Sequence, residues 1–415
     1  MKILVISDLH VGEGAICTDL STGSGQNAIK QNFLKELYQL TVDENISADF
    51  LIITGDITNR ARKEEFSLAS QRILEIARYF KITDTNKIFF VPGNHDSNWE
   101  DEEKILSADS SNITLAINEK YKNIKTEFLL KGVLDISSYG CFYEEPYFVI
   151  WELDLVNIIG INTSVFDHHH KKPHHGVLRL ADIRVLDKKL EELNIKDSGK
   201  LNLMMLHHHP IQQPDIPFTE ADHSILQNSS SFMDVCYKNK INLIVHGHKH
   251  IPTLSNRMDD YFHPITILCS GSFSARLDDR YFQGVPNMIH LVEIDEKCQL
   301  NKTVKGSVKS WEHNTGHGWQ RDNSKNGIGY KEYFGNTMPP RELKEKIREQ
   351  IEHLFSFQTY ISWSDLSRNY SDILYTPRKL LNQILIELQK DLGFKRLNIS
   401  NDDELFILLK GEQSA

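Results

Sequence analysis

Short apolar runs recur along this chain, and most stop abruptly at a polar residue. KILVIS precedes Asp8, DFLIIT precedes Asp56, KIFFVP precedes Asn94, LMML precedes His207 and NLIV precedes His248. Runs of about four to six residues rich in Ile, Val and Leu suit strands buried on both faces. Two further runs, 157–162 and 266–272, share the pattern without an evident set of polar ends. Amphipathic stretches at 27–40, 64–80 and 180–193 lie between the runs and predict helices. The alternation predicts an α/β layered fold, the kind that carries its site at the carboxyl ends of strands.

The rhythm breaks twice. Residues 100–145 open with Glu100, Asp101, Glu102 and Glu103 and contain a helical pattern near 112–131, which reads as an insertion close to the site mouth. Residues 301–339 are rich in Gly, Asn and Lys and read as a linker or extension after a catalytic domain over 1–300. Trp311 and Trp319 in this stretch are expected to pack the C-terminal module onto the core, a commoner use than base stacking. Pro339 and Pro340 then open a helix over 341–355, where proline is tolerated. A second helix over 377–391 and a strand at 404–409 complete a small helical or winged-helix-like domain, 340–415. From Arg341 onward there are 11 Lys+Arg and 12 Asp+Glu, so this module is nearly neutral.

Composition narrows the partners. With 415 residues the chain exceeds one ordinary domain. No stretch approaches the ~18 apolar residues of a membrane helix, and the first strand begins at once, so a cytoplasmic protein without a membrane partner is expected. The formal net charge of −10 offers no general attraction to a polyanion, which makes nucleic acid a less favoured partner. Cys17, Cys141, Cys236, Cys269 and Cys298 are scattered without a CxxC pair and read as buried reduced thiols. The nineteen histidines cluster, the first hint of metal chemistry.

Five motifs carry that chemistry. Asp8 and His10 sit two apart in an extended turn, so both side chains reach the same side. Gly55-Asp56 lets the backbone crowd a site where one carboxylate bridges two cations. Gly93-Asn94-His95-Asp96 offers an amide oxygen beside an imidazole. His207-His208-His209-Pro210 supplies one ligand and two bystanders, with His207 preferred over His208 because it is first after its run. Gly247-His248-Lys249-His250 again spaces two imidazoles at i and i+2. Imidazole, carboxylate and amide oxygen suit Mn, Fe or Zn. Two such ions about 3.5–4 Å apart clamp a phosphate and generate a bridging hydroxide that attacks phosphorus. Each motif alone is common in turns; their co-occurrence, each after an apolar run, is what carries weight.

The order DLH, GD, GNHD, HHHP, GHKH resembles the calcineurin-like metallophosphoesterases over residues 1 to about 295. The context GDITNRARKEEF followed by VPGNHD is similar to their class III cyclic-nucleotide phosphodiesterase and glycerophosphodiesterase-like branch. The resemblance implies a four-layer α/β/β/α sandwich with the dimetal site at one edge, here followed by the small, mostly helical C-terminal domain. It implies that Asp8, His10, Asp56 and His250 hold one ion, and that Asp56, Asn94, His207 and His248 hold the other. His95 would be the non-ligand histidine that contacts phosphate and protonates the leaving oxygen.

The expected activity is metal-dependent phosphodiester hydrolysis, with a nucleotide or another small phosphoester as substrate. A nuclease of the same superfamily, and a regulatory subunit with a vestigial site, stand as alternatives. The sequence leaves the protein partner of the C-terminal module unidentified. The stretch DHHHKKPHHG at 167–176 reads as a solvated loop rather than a phosphate grip. Arg60, Arg62 and Lys63 read as an exposed helix start, Ser270-Gly271-Ser272 as packing for the metal loops, and Asn162 and Gly176 as folding residues.

Overall fold

The computed structural model describes residues 1–23, 29–168, 175–212, 224–259, 263–277, 284–298, 303–324, 326–368, 370–399 and 405–411. The apolar runs become the middle of two sheets. In the first, β1 (Lys2–Ile6), β2 (Phe50–Ile53) and β3 (Ile88–Phe90) run parallel. In the second, β4 (Tyr139–Gly140) and β5 (Phe148–Glu152) lead into β6 (Val156–Ile161), β7 (Leu201–Met205) and β8 (Leu243–His246). An antiparallel strand, β9 (Thr253–Met258), closes this sheet beyond β10 (Pro264–Cys269), giving the order β4-β5-β6-β7-β8-β10-β9. Strands β6, β7, β8 and β10 are mutually parallel, so their motif-bearing carboxyl ends open on one edge.

Side chains along the second sheet alternate between two cores, as the period of two of a strand demands. Ile158, Leu203, Met205, Leu243 and Val245 face the first sheet; Ile159, Met204, Ile244, Ile265 and Ile267 face outward. The outward face is covered by α6 (Leu180–Glu192) and α7 (Ser229–Lys238), through Ile183, Leu186, Leu190, Phe232 and Cys236. The first sheet is covered by α1 (Phe33–Asp43) and α2 (Lys63–Tyr79). Helix α1 starts at Phe33, later than the predicted 27–40, because Asn32 takes a left-handed backbone and closes the helix upstream. The layers are helix, sheet, sheet, helix. The expected insertion contains α3 (Trp99–Ala108), α4 (Ile113–Lys120) and α5 (Lys122–Glu127), followed by a 3₁₀ stretch over 129–136. It is tied down by Lys120, wholly buried, whose ammonium lies 3.1 Å from the Glu102 carboxylate and donates to the Asp167 and Ser164 carbonyls.

The stretch read as a linker or extension carries strands. Strands β11 (Asn287–Cys298), β12 (Thr303–Asn314), β13 (Gly318–Arg321) and β14 (Lys331–Phe334) extend the first sheet in the order β13-β12-β11-β1-β2-β3, with β14 on β12. Val304, Val308 and Trp311 enter the main core, while half-buried Lys305 and Lys309 and the buried polar residues Ser307, Ser310 and Glu312 stand between them. Trp311 and Trp319 serve α1, not the C-terminal module. Trp311 donates to Glu44, and Trp319 donates to the Phe33 carbonyl and packs on Phe33 and Phe273. Beyond them, helices Pro340–Phe355, Trp363–Ser367, Ser371–Leu374 and Arg378–Leu392 enclose a separate core. A three-stranded antiparallel sheet, β15 (Tyr360–Ser362), β17 (Phe406–Leu409) and β16 (Lys395–Asn398), completes that module. Arg378 pairs with Glu332 at 3.2 Å, and Tyr375 donates to Asp295, joining it to the first sheet. Among the described residues no helix is long and apolar enough to cross a membrane.

Candidate metal centre

The turns that end the central strands hold unusual backbone. Asp8, His10, Asp56, His248 and His250 all have φ between 49° and 78°. Such left-handed conformations cost non-glycine residues of order 1 kcal/mol or more each, and they gather where function demands them. Cross-links between the turns hold them there. Asp8 N–H donates to the Gly55 carbonyl and His10 N–H to the Asp56 carbonyl, both at 3.0 Å. Ser272 Oγ donates to the Asp8 carbonyl at 2.9 Å, so the SGS segment packs on the first turn. Gly93 is required by proximity: a Cβ there would lie 2.3 Å from the Asp56 amide nitrogen. Gly247 is equally tight, its Cβ position lying 2.5 Å from Asp8 Oδ2.

These turns bring the seven predicted ligands together. His250 Nε2 lies 3.1 Å from Asp8 Oδ1 and 3.3 Å from His10 Nε2, and His10 Nε2 lies 3.6 Å from Asp56 Oδ2. On the other side of Asp56, His207 Nε2 is 3.3 Å from the same Oδ2. Asn94 Oδ1 is 3.1 Å from both His207 Nε2 and His248 Nδ1. Asp8, His10, Asp56 and His250 thus form one donor group, and Asp56, His207 and His248 a second that shares Asp56. Of the histidine triplet, His207 enters this cluster; His208 turns its Nδ1 to Thr163 Oγ1 at 2.8 Å. His207 Nδ1 faces the Thr54 carbonyl at 2.8 Å, an outer partner that fixes the tautomer and aims Nε2 inward. His95 lies at the edge of the His10 ring, centroids 4.6 Å apart, with Nδ1 2.8 Å from the Asn59 carbonyl. His95 is in neither donor group.

The electrostatics match a cage for cations. Burial alone raises the Asp56 carboxyl, but His207, His95 and His10 outweigh it and hold Asp56 well below the usual carboxylate range. Asp8 is likewise held low by His250 and His207 against the penalty of burial. His207 is pushed up to about 9: burial opposes the charge, and the hydrogen-bonded Asp56 carboxylate overcomes it. His10 falls to about 3 through burial and the neighbouring His95. The donor set of two carboxylates, four imidazoles and one amide oxygen fits two borderline first-row cations.

Asp96 is the functional residue that sequence reasoning passed over, although it stands inside the GNHD motif. Its carboxylate accepts from the Ile57, Thr58 and Gly93 amides and from Thr58 Oγ1, at 2.8–3.1 Å, clamping the Asp56 turn to the Asn94 turn. Burial and the adjacent Asp56 charge push it up to about 6 against those donors. Other expected residues lie where their packing roles require. Arg60 pairs with Glu13 and Lys63 with Glu127 on the surface. The Asn162 amide donates to the Phe142 carbonyl, and Gly176 leaves room for His208. In the histidine-rich stretch, His168 contacts Glu102 at 2.8 Å; residues 169–174 lie outside the described residues.

The model of the calcineurin-like phosphoesterases, Metallophos, matches residues 1–252. The chain belongs to this family. Divalent metals are the family's cofactors, and the Asp/His cluster of this chain offers two donor groups that could hold them. No curated protein matches the chain. Among solved structures, it is similar to the purple acid phosphatase PPD1 from yellow lupin (Lupinus luteus) seeds, at 10 % identity and TM-score 0.41, covering 75 % of this chain and 51 % of that one. The chain therefore spans about half the length of that protein. It is also similar to Vacuolar Protein Sorting 29 from Cryptosporidium parvum, at 11 % identity and TM-score 0.34, covering 80 % of this chain and 97 % of that one. A third likeness is the Haemophilus influenzae NAD nucleotidase, at 12 % identity and TM-score 0.36, covering 96 % of this chain and 62 % of that one.

Proposed function

We propose that this phosphoesterase is a phosphodiesterase acting on a nucleotide or another small phosphodiester, of the class III branch that its GDITN and VPGNHD contexts resemble. One observation carries the reading: the Asp56 carboxylate is shared by two groups of buried and half-buried donors, each able to hold one cation. Asp8, His10, Asp56 and His250 would hold one divalent ion, and Asp56, Asn94, His207 and His248 the other. When bound, two such ions supply the Lewis acidity that lowers the pKa of a water and neutralises phosphate oxygens.

The chain's own groups do the rest. The left-handed turns fix the ligands before substrate arrives, so little reorganisation is left for the reaction. The Thr54 carbonyl holds the His207 tautomer. The Asn59 carbonyl holds His95 Nδ1–H, leaving Nε2 to carry a proton to the leaving alkoxide. Asp96 keeps the Asp56 and Asn94 turns in register.

The test is hydrolysis by purified protein with Mn²⁺, comparing bis-p-nitrophenyl phosphate with p-nitrophenyl phosphate and with labelled single- and double-stranded DNA. Faster turnover of the diester supports the reading. Cleavage of the monoester alone or of DNA alone removes it, and inactivity with Mn, Fe, Ni and Zn points to a vestigial site.

A further inference from the structure

Beneath the dimetal cluster lies a second convergence of donors that the phosphoesterase reaction does not use. His209 follows β7, His246 ends β8 and Cys269 ends β10, three neighbouring strands of the second sheet. All three are at most 1 % exposed. Their ligand atoms lie within 4.8 Å of one another. The two imidazoles meet edge to face with centroids 4.5 Å apart.

Among the described residues, neither ring nitrogen of His209 has a hydrogen-bond partner, and His246 Nε2 has none either. Leaving buried polar atoms unpaired costs about 1–3 kcal/mol each, and an ion is one of the few things that relieves several at once. The His246 ring is also oriented as a ligand should be. Its Nδ1 faces the Gly247 carbonyl at 3.3 Å, which places the proton there and leaves the Nε2 lone pair for a metal. A water would satisfy imidazole nitrogens but gains little from a thiol, a weak hydrogen-bonding group. Two imidazoles and a thiolate are instead a soft-to-borderline set, suited to zinc rather than to magnesium or calcium.

We propose that His209, His246 and Cys269 bind a third metal ion, a thiophilic d¹⁰ cation such as Zn²⁺, in a buried three-residue site. His209 is two residues past His207, and His246 is two residues before His248. One ion here would tie together the turns that present those two side chains, and would be taken up as the sheet forms. The distances accommodate it: bonds of about 2.0–2.3 Å to each donor are reached by small side-chain rotations.

None of the seven dimetal donors contains sulfur, so sulfur reports the two sites separately. Full-length protein purified from zinc-supplemented cells is measured by zinc-edge X-ray absorption and metal content, beside Asp56→Asn and Cys269→Ala. The wild type should show a sulfur neighbour at about 2.3 Å. Asp56→Asn should empty the dimetal centre, yet retain a single zinc per chain with an enriched sulfur signal. Cys269→Ala should lose the sulfur signal and one ion. A sulfur-free spectrum in Asp56→Asn overturns the proposal even where Cys269→Ala does not fold, as does a sulfur signal that survives Cys269→Ala. Activity plays no part in the readout, so failure of the phosphodiesterase reading leaves this test standing.

Discussion

Replacing Gly93 with alanine probes the closest backbone approach at the centre. The new Cβ would fall 2.2 Å from Asp56 Oδ1, 2.3 Å from the Asp56 amide nitrogen and 2.9 Å from its Cγ. The carboxylate can swing aside, but the amide nitrogen is anchored at the end of β2. Ordinary carbon–heavy-atom contacts need about 3.5 Å, so the Gly93–Asp96 turn must retreat by roughly 1 Å. Overpacking of this kind costs about 1–3 kcal/mol, a few degrees in Tm for a chain this large. The catalytic loss should be larger in proportion, since a misplacement of ~1 Å costs about 10²-fold in rate. Mn²⁺-dependent turnover of bis-p-nitrophenyl phosphate, metal content by mass spectrometry and thermal unfolding measure the three effects together. Gly23→Ala is the control, because its Cβ would meet only Ser21 Oγ at 3.8 Å. A Gly93→Ala protein with kcat and metal content within about twofold of wild type would refute the contact and the positioning built on it.

Other perturbations separate the remaining roles. His95→Ala should lower kcat by roughly 10²–10⁴-fold with metal content unchanged; loss of metal as well would make His95 a ligand. Chelation should lower Tm, and Mn²⁺ at one hundred times its Kd should restore Tm and about 2.7 kcal/mol of stability per site; a Tm indifferent to metal would contradict a centre formed by the folded state. Glu102→Ala strips the carboxylate from the fully buried Lys120 and should cost about 3–5 kcal/mol in urea unfolding. A loss under about 1 kcal/mol would show that the two do not form an ion pair there.

The central strands were legible because each apolar run is short and closed by a polar motif, and most are rich in Ile and Val, so strand and site are written together at Asp8, Asp56, Asn94, His207 and His248. The helices over 64–80 and 180–193 were equally plain, since their buried faces repeat at helical spacing. Strand β12 was not, because half-buried Lys305 and Lys309 and buried polar residues such as Ser307, Ser310 and Glu312 separate its apolar positions and make the segment look like a polar connector. The left-handed backbone at Asp8, His10 and His250 was not legible, because Asp and His take positive φ more readily than most residues yet do so at only a small minority of positions. Asp96 escaped notice because its value lies in accepting amides from the Asp56 turn as well as from its own, and only the fold brings the former within reach. The grouping of His209, His246 and Cys269 was hidden for the same reason: it depends on the order of β7, β8 and β10, which no local pattern encodes.

The β11–β12 pairing bears on how the two modules are to be separated in the laboratory. Excision at residue 300, the apparent seam in the sequence, would strip β12 to β14 from the sheet and bare one whole edge of β11 from Asn287 onward. A naked edge of that length invites pairing between molecules and precipitation. Trp311 and Trp319 would go with it, uncovering the flank of α1. The clean excision point lies instead between Phe334 and Pro340, where the last strand has ended and the next helix has not begun.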